Sequence, residues 1–125
     1  MVIVTETPLE PEKEFEKLGR QDAGSAIFHY AVVKSRAAAG QTSGILFERN
    51  GDIESELSEI ESDIRKRWDI CDLRLVRRIG LLKIGDIISL VAVSSPASSD
   101  AFEACHYGLE RIRKLSRLTK TELYL

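Results

Sequence analysis

Apolar residues recur along this chain with two different periods, and the period distinguishes helices from strands. From residue 52 onward, Ile53, Leu57, Ile60, Ile64 and Trp68 follow one another at intervals of four, three, four and four positions, in a helix predicted over 52–67. These intervals place the five side chains on one face of an α-helix. The segment begins with acidic residues and ends with basic ones, an order that complements the helix macrodipole. The pattern therefore predicts a long amphipathic helix whose charges have a structural role.

A second long helix is predicted near the end of the chain. Asp100, followed by Glu103 three residues later, has the spacing of a capping box, so we expect the helix to begin there. The buried face of this helix is predicted to consist of Phe102, Cys105, Leu109 and Ile112.

Short apolar runs predict the strands. Residues 26–33 and 87–93 are almost continuously apolar, as is typical of strands covered on both faces. Together, the predicted helices and strands indicate an α+β fold with a mixed sheet and two long helices on one side of it. Further strands are predicted over residues 2–4, from residue 45, over 73–76 and over 119–125, with a short helix over 11–18.

Length and composition limit the class of protein. With 125 residues, 43% of them hydrophobic and 30% charged, the chain has the composition of one soluble globular domain spanning residues 1–125. No apolar run approaches the roughly 20 residues that a membrane span requires. The first residues lack the pattern of a signal peptide, so a cytoplasmic location is expected.

Several kinds of site are disfavoured by the residues present. Cys71 and Cys105 are far apart and form no CxxC, so both are expected to be reduced, with Cys105 in the core. His29 and His106 have no third ligand at metal-binding spacing, so neither a metal nor a cofactor is predicted. No nucleic-acid-binding motif is found.

Charge is distributed unevenly. Residues 1–64 contain 6 Lys and Arg against 13 Asp and Glu, whereas residues 65–125 contain 12 against 7. The basic second half favours a surface for an anionic ligand, although two oppositely charged, solvated helices would produce the same asymmetry. Arg77 and Arg78 are interpreted as an exposed strand face rather than as ion-pair residues.

An ordered set of short motifs gives the chain a family resemblance. The chain resembles the large, catalytic subunits of molybdopterin synthase over about four-fifths of its length. The motifs that carry this resemblance are Arg67-Trp68, Arg78-Ile79-Gly80, Gly85-Asp86 and Ala101-Phe102-Glu103-Ala104.

The resemblance implies a fold, a reaction and a set of partners. The fold would be an α/β-hammerhead that forms the homodimer core of a heterotetramer. Its partner would be a small ubiquitin-like sulfur carrier whose C-terminal Gly-Gly bears a thiocarboxylate. The reaction would transfer that sulfur to cyclic pyranopterin monophosphate during molybdenum cofactor biosynthesis.

The resemblance also implies roles for individual cations. Lys120 matches a family lysine, and Arg113 stands where the family has another. The family's His-Arg pair falls on Ala97-Ser98, and its His-Arg-Ile-Gly reads Arg77-Arg78-Ile79-Gly80. The predicted catalytic residues are Lys120 and Arg113, and the predicted substrate-binding residues are Lys34, Arg36, Lys114 and Arg117.

The substitutions leave a second function open. Arginine can bind a phosphate but cannot shuttle protons as lysine does, because guanidinium stays protonated. The alternative is a non-catalytic paralogue that binds the sulfur carrier or an anionic ligand without turnover.

Overall fold

The computed structural model describes residues 1–35 and 41–124. These residues form three helices and seven strands, so the α+β prediction is confirmed. In chain order the elements are β1 (Val2–Thr5), α1 (Pro11–Lys17), β2 (Ser25–Val32), β3 (Thr42–Arg49), α2 (Ile53–Arg67), β4 (Asp72–Arg78), β5 (Gly80–Lys83), β6 (Ile87–Ser95), α3 (Ser98–Ile112) and β7 (Leu118–Tyr124).

The strands of the described residues divide between two sheets, whereas the sequence pattern suggests one. The first has the order β1-β4-β6-β2, with β1 parallel to β4 and the other neighbours antiparallel. The second has the order β5-β3-β7 and is antiparallel throughout. Hydrophobic periodicity does not report pairing partners, so the division into two sheets is invisible in the sequence.

Helices α2 and α3 cover one face of the first sheet. The Ile and Leu side chains of the predicted α2 stripe are fully buried, against Leu73 and Leu75 of β4 and Val91 and Val93 of β6. Trp68, the last member of the predicted stripe, is the C-cap residue of α2 and is only partly buried. The helix begins after Asp52, whose carboxylate accepts a hydrogen bond from the backbone N–H of Ser55 at 3.0 Å. The opposite face of the sheet packs on a smaller cluster of Leu18, Val76, Leu90 and Ala92.

Helix α3 departs from its prediction at the start. It begins at Ser98, two residues before the expected cap, and its N-cap residue Ala97 makes no side-chain capping bond. Asp100 therefore lies inside the first turn. The buried stripe runs through Ala101, Ala104, Cys105, Gly108 and Ile112. The predicted burial of Cys105 and Ile112 is thus confirmed, and Leu109 is partly buried against the same core.

Phe102 lies outside that stripe, so its predicted burial is wrong. It is 61% exposed and borders an open groove between α2 and α3, together with Trp68 and Tyr107. Gly108 brings α3 close to the sheet, because a Cβ at this position would lie 2.9 Å from Cγ1 of Val91. Among the described residues, no helix is both long and apolar enough to cross a membrane.

Candidate functional site

A cleft opens where α3 ends, between the two sheets. Its volume is about 580 Å³. Its walls come from β2 and the residues that follow it, from β3, β4, β6 and β7, and from the end of α3 with the residues after it. The site is thus assembled from segments that are far apart along the chain.

The floor of the cleft continues the helix-covered face of the first sheet. Leu75 and Val91 are cross-strand partners beneath the helices. Two positions further along both strands the partners are Arg77 and Ser89, and Ala31 lies opposite Ser89 on β2. Since alternate residues of a strand point to the same face, this row lies on the same side as the apolar one. The face becomes polar near the point where α3 stops covering it.

Arg77 lies at the bottom of the cleft and is only 8% exposed. Its guanidinium carbon lies 4.2 Å from the centre of the Phe47 ring. Its Nε has no hydrogen-bond partner, and no described carboxylate forms an ion pair with the side chain. A desolvated cation–π contact contributes about 2 kcal/mol, whereas removing a cation from water costs several kcal/mol. The protein alone therefore compensates this charge incompletely.

The electrostatic consequence of this burial appears in the pKa of Arg77. Burial lowers the pKa of the guanidinium to about 10. Arg77 is still cationic near neutral pH. The floor of the cleft thus carries a permanent positive charge that water reaches poorly.

The second sheet supplies the opposite wall and Lys120. Lys120 on β7 is the cross-strand partner of Phe47 on β3. Side chains that are directly opposite in an antiparallel pair lie about 5 Å apart at Cβ. Lys120 is therefore beside the ring on which Arg77 stacks, and its exposed side chain stands at the rim.

Lys34 reaches the cleft from the segment that follows β2. The preceding residue, Val33, is buried and is held by two backbone hydrogen bonds to the turn between β5 and β6, with Asp86 and Gly85. This anchoring places the exposed Lys34 on the cleft wall.

Arg113 reaches the cleft from the C-cap of α3. Its backbone N–H donates to the carbonyl of Leu109 at 3.1 Å, which continues the helical pattern. A cation at a helix C-terminus is also favoured by the macrodipole. Its side chain pairs with Glu110 at 3.2 Å, and because both groups are exposed the pair holds the side chain only weakly.

Of the predicted site residues, the cleft brings together Lys34, Arg113 and Lys120. Lys114 is exposed beyond the end of α3 and does not line the cleft. Arg36 lies outside the described residues.

Arg117 is directed toward the start of α2 rather than into the cleft. Its side chain donates to the carbonyl of Asp52 at 3.1 Å, and its backbone N–H donates to the carboxylate of Glu56 at 3.0 Å. Its aliphatic carbons cover Gly51, where a Cβ would lie 3.0–3.2 Å from them. Arg117 thus joins β7 to the N-terminus of α2.

Sequence reasoning missed two residues of the cleft, Arg77 and His29. The expectation of an exposed strand face is wrong for Arg77, because α2, α3 and the second sheet bury that side of β4. The alternation of side chains along β4 could have predicted this burial, since Arg77 follows Leu73 and Leu75 at every second position and so lies on the same face of the strand. His29 also borders the cleft, and its Nδ1 is buried without a hydrogen-bond partner in the described structure.

The neighbouring Arg78 is also largely buried, with 11% of its side chain exposed. Its guanidinium lies 3.4 Å from the carboxylate of Asp86, so it forms an ion pair, and the expectation of an exposed face is wrong for this residue as well. The two adjacent arginines therefore differ, since Arg78 has a carboxylate partner and Arg77 has none in the part of the chain that the structure describes.

The charge of the cleft has one sign. Lys34, Arg77, Arg113 and Lys120 border it, and no Asp or Glu of residues 1–35 or 41–124 does. Lysine and arginine bind phosphate and carboxylate oxygens by charge-assisted hydrogen bonds. The cleft is therefore suited to an anion that carries more than one negative charge.

Cys105 lies in the protein core rather than in the cleft. Its burial is as predicted, with its Sγ 3.6 Å from the carbonyl oxygen of Val91. Burial raises the pKa of its thiol to about 11, so it is protonated near neutral pH. The described residues include no cluster of His, Cys, Asp or Glu arranged to hold a metal ion.

Comparison with known proteins relates this architecture to one family. The family model described as MoaE protein matches residues 4–115. A molybdopterin synthase catalytic subunit from Staphylococcus aureus (strain COL) is 32% identical over 123 residues, which cover 98% of this chain and 82% of the relative.

Solved structures agree with the sequence match. The crystal structure of molybdopterin synthase from Staphylococcus aureus superposes with a TM-score of 0.90 at 28% identity, over 98% of this chain and 90% of that one. The complex of subunits 1 and 2 of molybdopterin-converting factor from Helicobacter pylori 26695 superposes with a TM-score of 0.75, over 98% of this chain and 84% of that one. Its 11% identity is evidence for a shared fold alone. The chain belongs to the MoaE family, whose relatives named here are molybdopterin synthase catalytic subunits.

Proposed function

We propose that this chain is the catalytic subunit of a molybdopterin synthase and acts in molybdenum cofactor biosynthesis. It transfers sulfur from the thiocarboxylate of a small partner to cyclic pyranopterin monophosphate. The observation that carries the proposal is the cleft itself, in which four cations face one space bordered by no described carboxylate. A pterin phosphate and a thiocarboxylate are both anions, so both are attracted to it.

Substrate binding is assigned to the cations on the cleft walls. Lys34 and Arg113 hold the phosphate, since both are exposed at the opening and have no strong competing partner among the described residues. Arg113 keeps its charge throughout, so its role is to bind and to stabilise negative charge rather than to move a proton.

Lys120 is assigned the chemistry. Its ammonium group can donate a proton to a leaving or carbonyl oxygen, or stabilise the negative charge that develops as sulfur is transferred. Its place beside Phe47 and near the buried charge of Arg77 puts it at the boundary between the dry floor and the open rim. Such a position strengthens electrostatic contacts with a bound substrate.

The proposal includes a partner and an assembly. A small ubiquitin-like subunit with a C-terminal Gly-Gly delivers the sulfur, and this chain forms the homodimer at the centre of a heterotetramer, in the cytoplasm. The Helicobacter pylori structure, described as a complex of two subunits, supports the partner by its shared fold. The sulfur arrives on the partner, so no cysteine of this chain is required.

Removal of the Lys120 ammonium tests this assignment. Lys120→Ala should lower the rate of product formation roughly 100-fold or more, the usual effect of losing a proton donor or charge stabiliser. The assay supplies thiocarboxylated partner and cyclic pyranopterin monophosphate and measures the dithiolene product. Lys83→Ala is the matched control, because Lys83 is an exposed lysine of the same sheet outside the cleft. Equal turnover in the Lys120→Ala and Lys83→Ala variants would remove Lys120 from the mechanism.

The alternative is a paralogue that binds these ligands without turnover. Its support is Ala97-Ser98, where the family resemblance places a His-Arg pair. Both residues are exposed at the start of α3, and neither borders the cleft. Wild-type protein that binds the thiocarboxylated partner but forms no dithiolene product would establish this alternative.

A further inference from the structure

We propose that Arg77 is a further ligand-binding residue: from the bottom of the cleft, its guanidinium binds the phosphate group of a ligand. The inference rests on the proposed function for the identity of the substrate but not for the existence of the anion site. Neither the family resemblance nor the predicted site residues assign this role to Arg77.

Two buried arginines of β4 differ in their partners. Arg74 and Arg77 are 4% and 8% exposed and point to opposite faces of β4. Arg74 lies 2.8 Å from the carboxylate of Glu14, whereas Arg77 stacks on an aromatic ring and pairs with no carboxylate of residues 1–35 or 41–124. Buried charges are normally paired. An unpaired one that faces a cleft is therefore explained by a ligand that supplies the missing anion.

His29 lies on the other side of the cleft floor, on β2, and its Nδ1 is buried without a hydrogen-bond partner in the described part of the chain. Of the four such nitrogens among the described residues, Arg77 Nε and His29 Nδ1 belong to residues that border the cleft, whereas Arg74 Nη2 and Arg78 Nε do not. Buried polar atoms without a hydrogen-bond partner are rare in native proteins, so the polar groups of Arg77 and His29 are incompletely satisfied by the protein itself.

The set of cations favours a phosphate over a carboxylate. Inorganic phosphate and phosphate monoesters carry between one and two negative charges near neutral pH and offer at least three acceptor oxygens. A carboxylate carries one charge and two oxygens, and a cyclic phosphate, which is a diester, likewise carries one charge. Four cations with no described carboxylate among them therefore match inorganic phosphate and phosphate monoesters best. A planar guanidinium also binds phosphate oxygens through two parallel hydrogen bonds.

The experiment measures both binding and stability in Arg77→Met, which removes the charge and keeps an apolar stem. Titration calorimetry with inorganic phosphate, and separately with cyclic pyranopterin monophosphate, should show affinity reduced roughly tenfold or more. The thermal midpoint of the ligand-free variant should be unchanged or higher, because an unpaired buried charge has been removed. Phosphate should raise the midpoint of the wild type but much less that of the variant.

Two control variants isolate the contribution of the Arg77 charge to binding. Lys66→Met removes an exposed cation of α2 and should leave phosphate affinity unchanged. Arg77→Lys retains a charge and should recover part of the affinity. Wild-type phosphate affinity in Arg77→Met, or a lower thermal midpoint of that variant without ligand, would overturn the proposal and leave Arg77 a structural residue. A Gly-Gly peptide is the competing candidate for the ligand of this site. If wild type binds such a peptide more tightly than phosphate, and Arg77→Met loses peptide affinity as much as phosphate affinity, the choice of phosphate is overturned.

Failure of the proposed function would look different. If Arg77→Met loses phosphate binding but the wild type produces no dithiolene, the anion site stands and the sulfur transfer does not. If the wild type turns over and Arg77→Met does so equally well, the function stands and the role of Arg77 is refuted.

Discussion

The buried ion pair between Glu14 and Arg74 joins α1 to the first sheet, and removing either partner should destabilise the fold. Arg74 Nε donates to Glu14 at 3.0 Å, its Nη2 lies 2.8 Å from the same oxygen, and the two side chains are 5% and 9% exposed. Lys17 lies 3.6 Å from the other carboxylate oxygen but is half exposed, so its contribution is small. The perturbation is Glu14→Gln, which keeps the shape and removes the charge.

The expected cost follows from the charge that is left behind. Removing one partner of a buried pair destabilises a protein by about 3–5 kcal/mol, because the other charge stays buried and uncompensated. For a chain of this length each kcal/mol lowers the thermal midpoint by about 4 °C, so the midpoint should fall by roughly 10–20 °C. Arg74→Met should have a similar effect.

The assay is urea unfolding followed by circular dichroism, with thermal melts in parallel. The midpoint concentration should fall while the slope m stays constant. The double variant Glu14→Leu with Arg74→Met should recover most of the loss, since neither charge is then left alone. A loss below about 1 kcal/mol in both single variants, the value of an exposed pair, would refute the reasoning. So would a double variant whose loss equals the sum of the two single losses.

Two further predictions concern packing and pH. Gly108→Ala should lower the free energy of unfolding in urea by about 1–2 kcal/mol, because overpacking against the buried Val91 outweighs the gain in helix propensity. A variant as stable as the wild type, or more stable, would contradict the close approach of α3 to β6. Burial raises the pKa of Glu56, but hydrogen bonds from the backbone of Ser116 and Arg117 and from the Ser116 hydroxyl outweigh this, so its pKa lies below the ordinary 4.5. The stabilisation that the ionised Glu56 carboxylate provides is therefore complete above about pH 5, and it is lost as the pH falls through the lowered pKa. Wild type should exceed Glu56→Gln in stability at pH 7, and the difference should shrink toward pH 3; a difference independent of pH would exclude the ionised carboxylate as its cause.

Much of the fold follows from local pattern. The four-three-four spacing of Ile53, Leu57, Ile60 and Ile64 specifies the face of α2 that is buried, because helical geometry puts those side chains in one stripe. The β-branched, apolar run of residues 87–93 likewise specifies the central strand β6, since such a run is stable only when both faces are covered. The short motifs, read as an ordered set, were enough for the family resemblance.

The site was decided by tertiary structure. Lys34 is far from Arg113 and Lys120 along the chain, and only the packing of the two sheets and the end of α3 brings the three residues to one cleft. Arg117 is an arginine like Arg113, but it anchors α2 instead of lining the cleft, because it lies beside Glu56 and Asp52. Arg77 differs from an exposed strand arginine only through what covers it. Charge, burial and pairing depend on neighbours that are distant in sequence, and these neighbours separate an anion-binding arginine from a structural one.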